Sequence, residues 1–105
     1  MDSKIIFTET AKNDLNGIME YINIKLCNYT AANNLFNNII KSLDSIALYP
    51  LSYPLVENDY VRNKYTRKVV IDNYNLYYVV EDNIIKIIRI IYNKRDLSEI
   101  INNLN

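Results

Sequence analysis

Three β-rich runs stand almost back to back in the second half of the chain: Tyr65–Ile71 (YTRKVVI), Tyr74–Glu81 (YNLYYVVE) and Ile84–Tyr92 (IIKIIRIIY). Only Asp72-Asn73 and Asp82-Asn83 separate them. Asp and Asn enter the left-handed backbone region more readily than other non-glycine residues, so both dipeptides suit two-residue hairpin turns. The chain is thereby committed to a three-stranded antiparallel meander. Side chains alternate along a strand. On that period Tyr65, Arg67, Val69 and Ile71 share one face of the first run, and Thr66, Lys68 and Val70 the other. In the second run Tyr74, Leu76, Tyr78 and Val80 share a face, and both tyrosines read as core. In the third, Ile85, Ile87, Arg89 and Ile91 oppose Ile84, Lys86, Ile88, Ile90 and Tyr92. Neither face is wholly polar, so this strand belongs at the centre of its sheet. Lys86 and Arg89 point opposite ways on it. Each must snorkel to the sheet margin or pair with a carboxylate, because an isolated buried charge is too costly.

The first half has a different period. Lys4–Thr8 (KIIFT) is short, β-branched and aromatic, and reads as a strand. Thr8 or Thr10 then caps a helix whose apolar stripe is Ala11, Leu15, Ile18, Ile22 and Leu26. Gly17 inside it costs about 1 kcal/mol relative to alanine, a cost that close packing would explain. The stretch CNYT breaks the period, with Asn28 or Thr30 as the next cap. The second helix sets Ala32, Leu35, Phe36, Ile39, Leu43, Ile46 and Ala47 against Asn34, Asn37, Asn38, Lys41 and Asp44. The short connection makes the pair an antiparallel helical hairpin. Prolines at 50 and 54 end it, and residues 50–64 form a long, partly extended connection of the kind that is often functional. The tail LSEIINNLN reads as a short amphipathic helix. The expected fold is α+β: two layers in a single domain over residues 1–105, a helical hairpin packed on a mainly antiparallel sheet, in the order β-α-α-β-β-β.

Composition narrows the chemistry. There is no histidine, one cysteine and one glycine among 105 residues. Ser-His-Asp and Cys-His catalysis, Cys/His zinc sites and phosphate-binding glycine loops are thereby excluded. No metal or cofactor is expected. Formal charge is zero, but residues 1–59 hold four cations against seven anions and residues 60–105 eight against five. One acidic and one basic surface follow, and the basic one suits a polyanion. An up-down-up meander puts Arg67 and the Lys94-Arg95 pair at opposite edges, which argues against one shared rim. No apolar run approaches the roughly 18 residues of a membrane span. The first ten residues lack the basic-then-apolar order of a signal peptide, and the lone Cys27 fits a reducing cytoplasm, which is the expected location. Tyr49, Tyr53 and Tyr60 lie in the connecting loop, where tyrosine favours an interface.

The pattern F-x-x-x-A-K-x-D-L-x-x-I-x-x-Y-I is present as Phe7, Ala11, Lys12, Asp14, Leu15, Ile18, Tyr21 and Ile22. I-A-L-Y-P follows at Ile46–Pro50, then Y-T-R-K-V-V and Y-N-L-Y-Y-V-V. The close, I-x-I-x-R-I-x-x-x-x-R-D, is Ile85, Ile87, Arg89, Ile90, Arg95 and Asp96. In this order the pieces resemble the RelE/ParE superfamily of bacterial toxins from type II toxin–antitoxin systems, over about Ile5 to Ile101. The resemblance implies a helical hairpin on an antiparallel sheet with the first strand beside a central last one. In it Asp96 pairs with Arg89 or Arg95. It implies a cognate antitoxin as partner, in a hetero-oligomer, wrapping a segment over an apolar groove near Leu55, Val69 and Ile71. Two activities occur in the superfamily. RelE-like members cleave mRNA in the ribosomal A site, and for these Arg67, Lys68 and Arg95 would be the catalytic candidates. The arginine that the resemblance implies after the middle-strand tyrosine is here Asn75, and the aromatic or imidazole group of the C-terminal segment falls on Ile101. ParE-like members inhibit DNA gyrase and carry no catalytic residues, which is the branch the ending and the neutral charge favour. For these, Arg67, Arg89, Lys94, Arg95 and Asp96 are the target-binding candidates. A non-toxic interaction module with the same fold is the third alternative.

Overall fold

The computed structural model describes residues 3–56 and 63–94. Strand β1 (Lys4–Phe7) leads into helix α1 (Glu9–Glu20), a π-helical turn (Tyr21–Lys25) and helix α2 (Tyr29–Leu48). Strands β2 (Arg67–Ile71), β3 (Tyr74–Glu81) and β4 (Ile84–Tyr92) follow. This is the expected two-layer α+β fold. Asp72 and Asp82, the first residues of the two hairpin turns, adopt positive φ of 53° and 56°. The strand order is β1-β4-β3-β2, with β1 parallel to β4 and the other neighbours antiparallel. β4 is thus an inner strand, as its two apolar faces require. Arg95, Asp96, the C-terminal tail and Tyr60 lie outside the described residues. Among the described residues, no helix is long and apolar enough to cross a membrane.

Local signals set the helix ends. Thr8 caps α1: its Oγ1 accepts from the Ala11 amide at 3.1 Å. The same residue ties α1 to the sheet, its amide donating to Ile87 O and its hydroxyl to Ile88 O. Asn28 caps α2 through the Ala31 amide at 3.0 Å. Between them the π-turn shifts the helical phase, with the Leu26 amide bonding back to Tyr21 O. Ile22 therefore stays buried, but Leu26, expected on the same stripe, is 55% exposed. Close packing does not explain Gly17, since a Cβ there would meet nothing within 4 Å.

The main core lies between the hairpin and one sheet face. Ala32, Leu35, Ile39 and Ile46 of α2 meet Val69 and Ile71 of β2, Leu76 and Tyr78 of β3, and Ile85, Ile87 and Ile90 of β4. Each such aliphatic side chain contributes about 1.5–3 kcal/mol on burial. Strict alternation fails in β4. Tyr77 pairs with Arg89 but Tyr78 with Ile87, so Ile88 is an extra residue without a partner in β3. Beyond this bulge the faces exchange, as an inserted residue dictates. Ile90 joins the helix-side core, whereas Ile91 joins Ile88, Tyr77, Val79 and Val56 in a second cluster on the opposite face.

Candidate functional site

Among the described residues the candidate cations do not form one site. Arg67, at the start of β2, aims its guanidinium at the segment after α2: Nη1 donates to Leu51 O at 3.2 Å and Tyr53 O at 2.6 Å. Residues 50–56 form a strap along the outer edge of β2. Leu55 bridges to Arg67, the Val56 amide donates to Thr66 O, and the Lys68 amide to Pro54 O. Two tyrosines fasten it. Tyr78 Oη donates to Pro50 O at 2.7 Å, and Tyr53 Oη to Ser45 Oγ at 2.9 Å. Their rings meet edge to face at 6.5 Å. Burial pushes the Tyr78 phenol up to about 12, with Arg67 opposing. Tyr53, expected to favour an interface, is thus half-buried within the chain, and Arg67 is a strut.

Arg89 is committed elsewhere. Its Nε and Nη2 donate to the two carboxylate oxygens of Asp14, at 2.8 and 3.0 Å, and the Ile90 amide donates to Asp14 at 3.0 Å. β1 ends opposite Ile87, so past that point the exposed edge of β4 is completed by a carboxylate from α1. Asp14 is the acid that fixes Arg89 among the described residues, and Asp96 lies outside them. Lys86 takes the other course, reaching towards Glu81 at 4.0 Å with a half-buried side chain. Lys94, exposed just past β4, lies beyond the other end of β2 from Arg67, since Tyr92 pairs with Tyr74 and Tyr74 with Ile71, while Arg67 pairs with Tyr78. Lys68, half-buried, sits opposite Tyr77. Asn75 is buried on the sheet face away from the helices, its amide directed at Tyr77 Oη.

The apolar residues expected to meet a partner need correction. Val69 and Ile71 lie under α2 and are fully enclosed, because β2 turns that face to the core. What this edge presents is Val70, 61% exposed, and Leu55, 43% exposed. The Lys68 amide points outward, and alternation puts the Val70 amide on the same edge. Among the described residues the strap ends short of it.

A groove of about 810 Å³ was missed in the sequence. It opens between α1, the π-turn and the far ends of β3 and β4, with Gly17, Tyr21, Asp72, Tyr74, Arg89 and Tyr92 on its walls. The Tyr74 and Tyr92 rings are 5.5 Å apart at 60°. Burial, then Tyr92 and Tyr21, raises the Tyr74 phenol above its ordinary value. Asn38 donates to both carboxylate oxygens of Asp72 on the rim, at 3.2 and 3.1 Å. An unexplained mid-helix glycine was the one sequence signal that pointed here.

Residues 5–97 match the family model for the ParE toxin of the type II toxin–antitoxin system parDE. No sequence among the curated proteins matches. Two solved structures share the fold. One, from a chromosomal ParDE toxin–antitoxin system of Pseudomonas aeruginosa, is 15% identical, covers 86% of this chain and 95% of its own, and has a TM-score of 0.68. The other, from the RelBE2 toxin–antitoxin complex of Mycobacterium tuberculosis, is 16% identical, covers 88% and 99%, and has a TM-score of 0.63.

Proposed function

The chain belongs to the ParE toxin family of type II toxin–antitoxin systems, and from that membership we propose that it arrests growth by binding DNA gyrase rather than by cutting RNA. The observation that carries this choice is the engagement of Arg67, the best-placed catalytic cation of the nuclease alternative. Its guanidinium is held by two carbonyls of the chain itself. Cleavage at a ribose without histidine or metal needs a proton acceptor and cations free to meet the charged phosphorane. Asn75 stands where a further arginine was expected and is buried, and Arg89 is neutralised by Asp14. A protein target asks for none of these groups. Lys94 supplies an exposed cation for such a contact, and Arg95 and Asp96, outside the described residues, are its proposed further members.

The partner that neutralises the toxin is a cognate antitoxin. Its docking line is the outer edge of β2, where Leu55 and Val70 offer apolar side chains beside an open strand amide. Extended peptides add to such edges through main-chain hydrogen bonds.

Pulse-labelling after induction of the chain alone tests the choice of target. The expected result is failure of thymidine incorporation before amino-acid incorporation, together with loss of supercoiling when purified protein is added to gyrase. Protein synthesis failing first, with cleaved mRNA on ribosomes, would reverse the assignment to the interferase branch.

A further inference from the structure

The groove beside α1 carries marks that the fold's own stability leaves unexplained. Gly17 occupies a helix interior, where glycine is unfavourable by about 1 kcal/mol. Neither its backbone nor a packed neighbour requires it, because a Cβ would enter open space. The effect of its missing side chain is an open groove. The π-turn forms the adjoining wall, and π-turns recur at functional sites. On that wall Tyr21 and Leu26 stay 52% and 55% exposed.

Charge and ring geometry narrow what belongs in it. The charged groups lining the groove are Asp14, Arg89 and Asp72. The first two cancel in a two-point ion pair. Asp72 receives only the neutral amide of Asn38, which fixes the carboxylate without cancelling its charge. One net negative charge is left beside the inclined rings of Tyr74 and Tyr92, with Tyr21 on the neighbouring wall. Electron-rich ring faces next to a carboxylate attract a cation. An acidic side chain would meet like charge, and a wholly apolar one would bury Asp72 without compensation. The volume, about 810 Å³, exceeds that of one side chain and falls in the range of pockets that enclose most of a ligand.

We propose that this groove docks a segment of a partner polypeptide that inserts one Lys or Arg side chain, flanked by apolar neighbours, between the tyrosine rings and Asp72. The surface is distinct from the β2 edge and does not depend on whether gyrase is the target.

The test uses the full chain and three synthetic peptides, acetyl-Leu-Xaa-Leu-amide with arginine, norleucine or glutamate at Xaa. Binding is followed by the ring resonances of Tyr21, Tyr74 and Tyr92. The arginine peptide is expected to shift all three and to bind about tenfold tighter than the other two. Gly17→Phe, whose ring fills open space, should abolish the shifts while keeping the thermal midpoint. Asp72→Asn should bring arginine and norleucine to within about threefold of each other. If Gly17→Phe does not fold, Tyr21→Ala serves in its place. Equal binding of arginine and norleucine, tighter binding of glutamate, or no ring shift with any peptide overturns the proposal. So does self-association of the free chain that Gly17→Phe abolishes, since the occupant is then a second copy.

Discussion

Asp14 shows how one residue can stand in for a missing strand. Its carboxylate collects the Arg89 guanidinium and the Ile90 amide at a place less than a fifth exposed. Asp14→Ala leaves both without an acceptor and is expected to lower stability by about 2–4 kcal/mol in a denaturant titration. Arg89→Ala should lower it less, because the Ile90 amide keeps its partner. The double variant should cost less than the sum of the two, and strict additivity would mean that the pair contributes nothing. That Arg89 had either to snorkel to the sheet margin or to find a carboxylate was legible in the sequence. Which one was not, because Asp14 lies 75 positions away in another element. Tyr78 adds a pH dependence. Its phenol titrates near 12 in the folded chain against an ordinary 10.0. The unfolded chain therefore releases its proton first, and the stability tied to the neutral phenol is full below 10 and lost as pH climbs towards 12. Tyr78→Phe should flatten that alkaline decline while lowering stability at neutral pH by about 1 kcal/mol through the lost bond to Pro50 O. Parallel declines in both proteins would assign the effect to other groups.

At the scale of elements, what repeats was legible and what occurs once was not. The two Asp-Asn turns, both caps and the meander all follow from local rules that act within a few residues. The bulge at Ile88 and the π-turn at Tyr21 are single phase shifts, and periodicity averages over them. They decide nonetheless that Ile90 and Ile91 exchange faces and that Leu26 leaves the core. The groove is their joint product with Gly17, so it was out of reach of any pattern that assumed constant phase. Gly17 gives this scale its prediction. With no neighbour awaiting a Cβ, Gly17→Ala should stabilise the chain by about 0.5–1 kcal/mol through helix propensity alone. Thermal unfolding reads it directly, and a lower midpoint would show that the bare backbone is needed inside the fold rather than for the groove.

For the whole molecule, the sheet has two unlike edges. One is closed in part by α1 through Asp14; the other, along β2, is closed by the strap only as far as Lys68. Past that point an apolar Val70 stands on a strand edge, which invites pairing with another chain. Proteins commonly guard such an edge with a charge, and an apolar residue here is intelligible if an antitoxin covers the edge for most of the toxin's life. A partner that binds only the folded chain stabilises it by mass action, about 4 kcal/mol at a thousandfold excess over its dissociation constant. Val70→Lys separates the two roles of the molecule. The side chain lies on the sheet face away from the main core, so the free chain should keep its fold and become more soluble. Toxicity on induction alone should persist, because the target surface proposed around Lys94 follows the inner strand β4, from which β3 separates the β2 edge. Neutralisation by co-expressed antitoxin should weaken by at least about tenfold, because an apolar side chain at the interface gives way to a cation that binding would have to desolvate. Undiminished rescue by the antitoxin would place its docking line elsewhere on the toxin, and loss of toxicity would mean that target and antitoxin compete for the same edge.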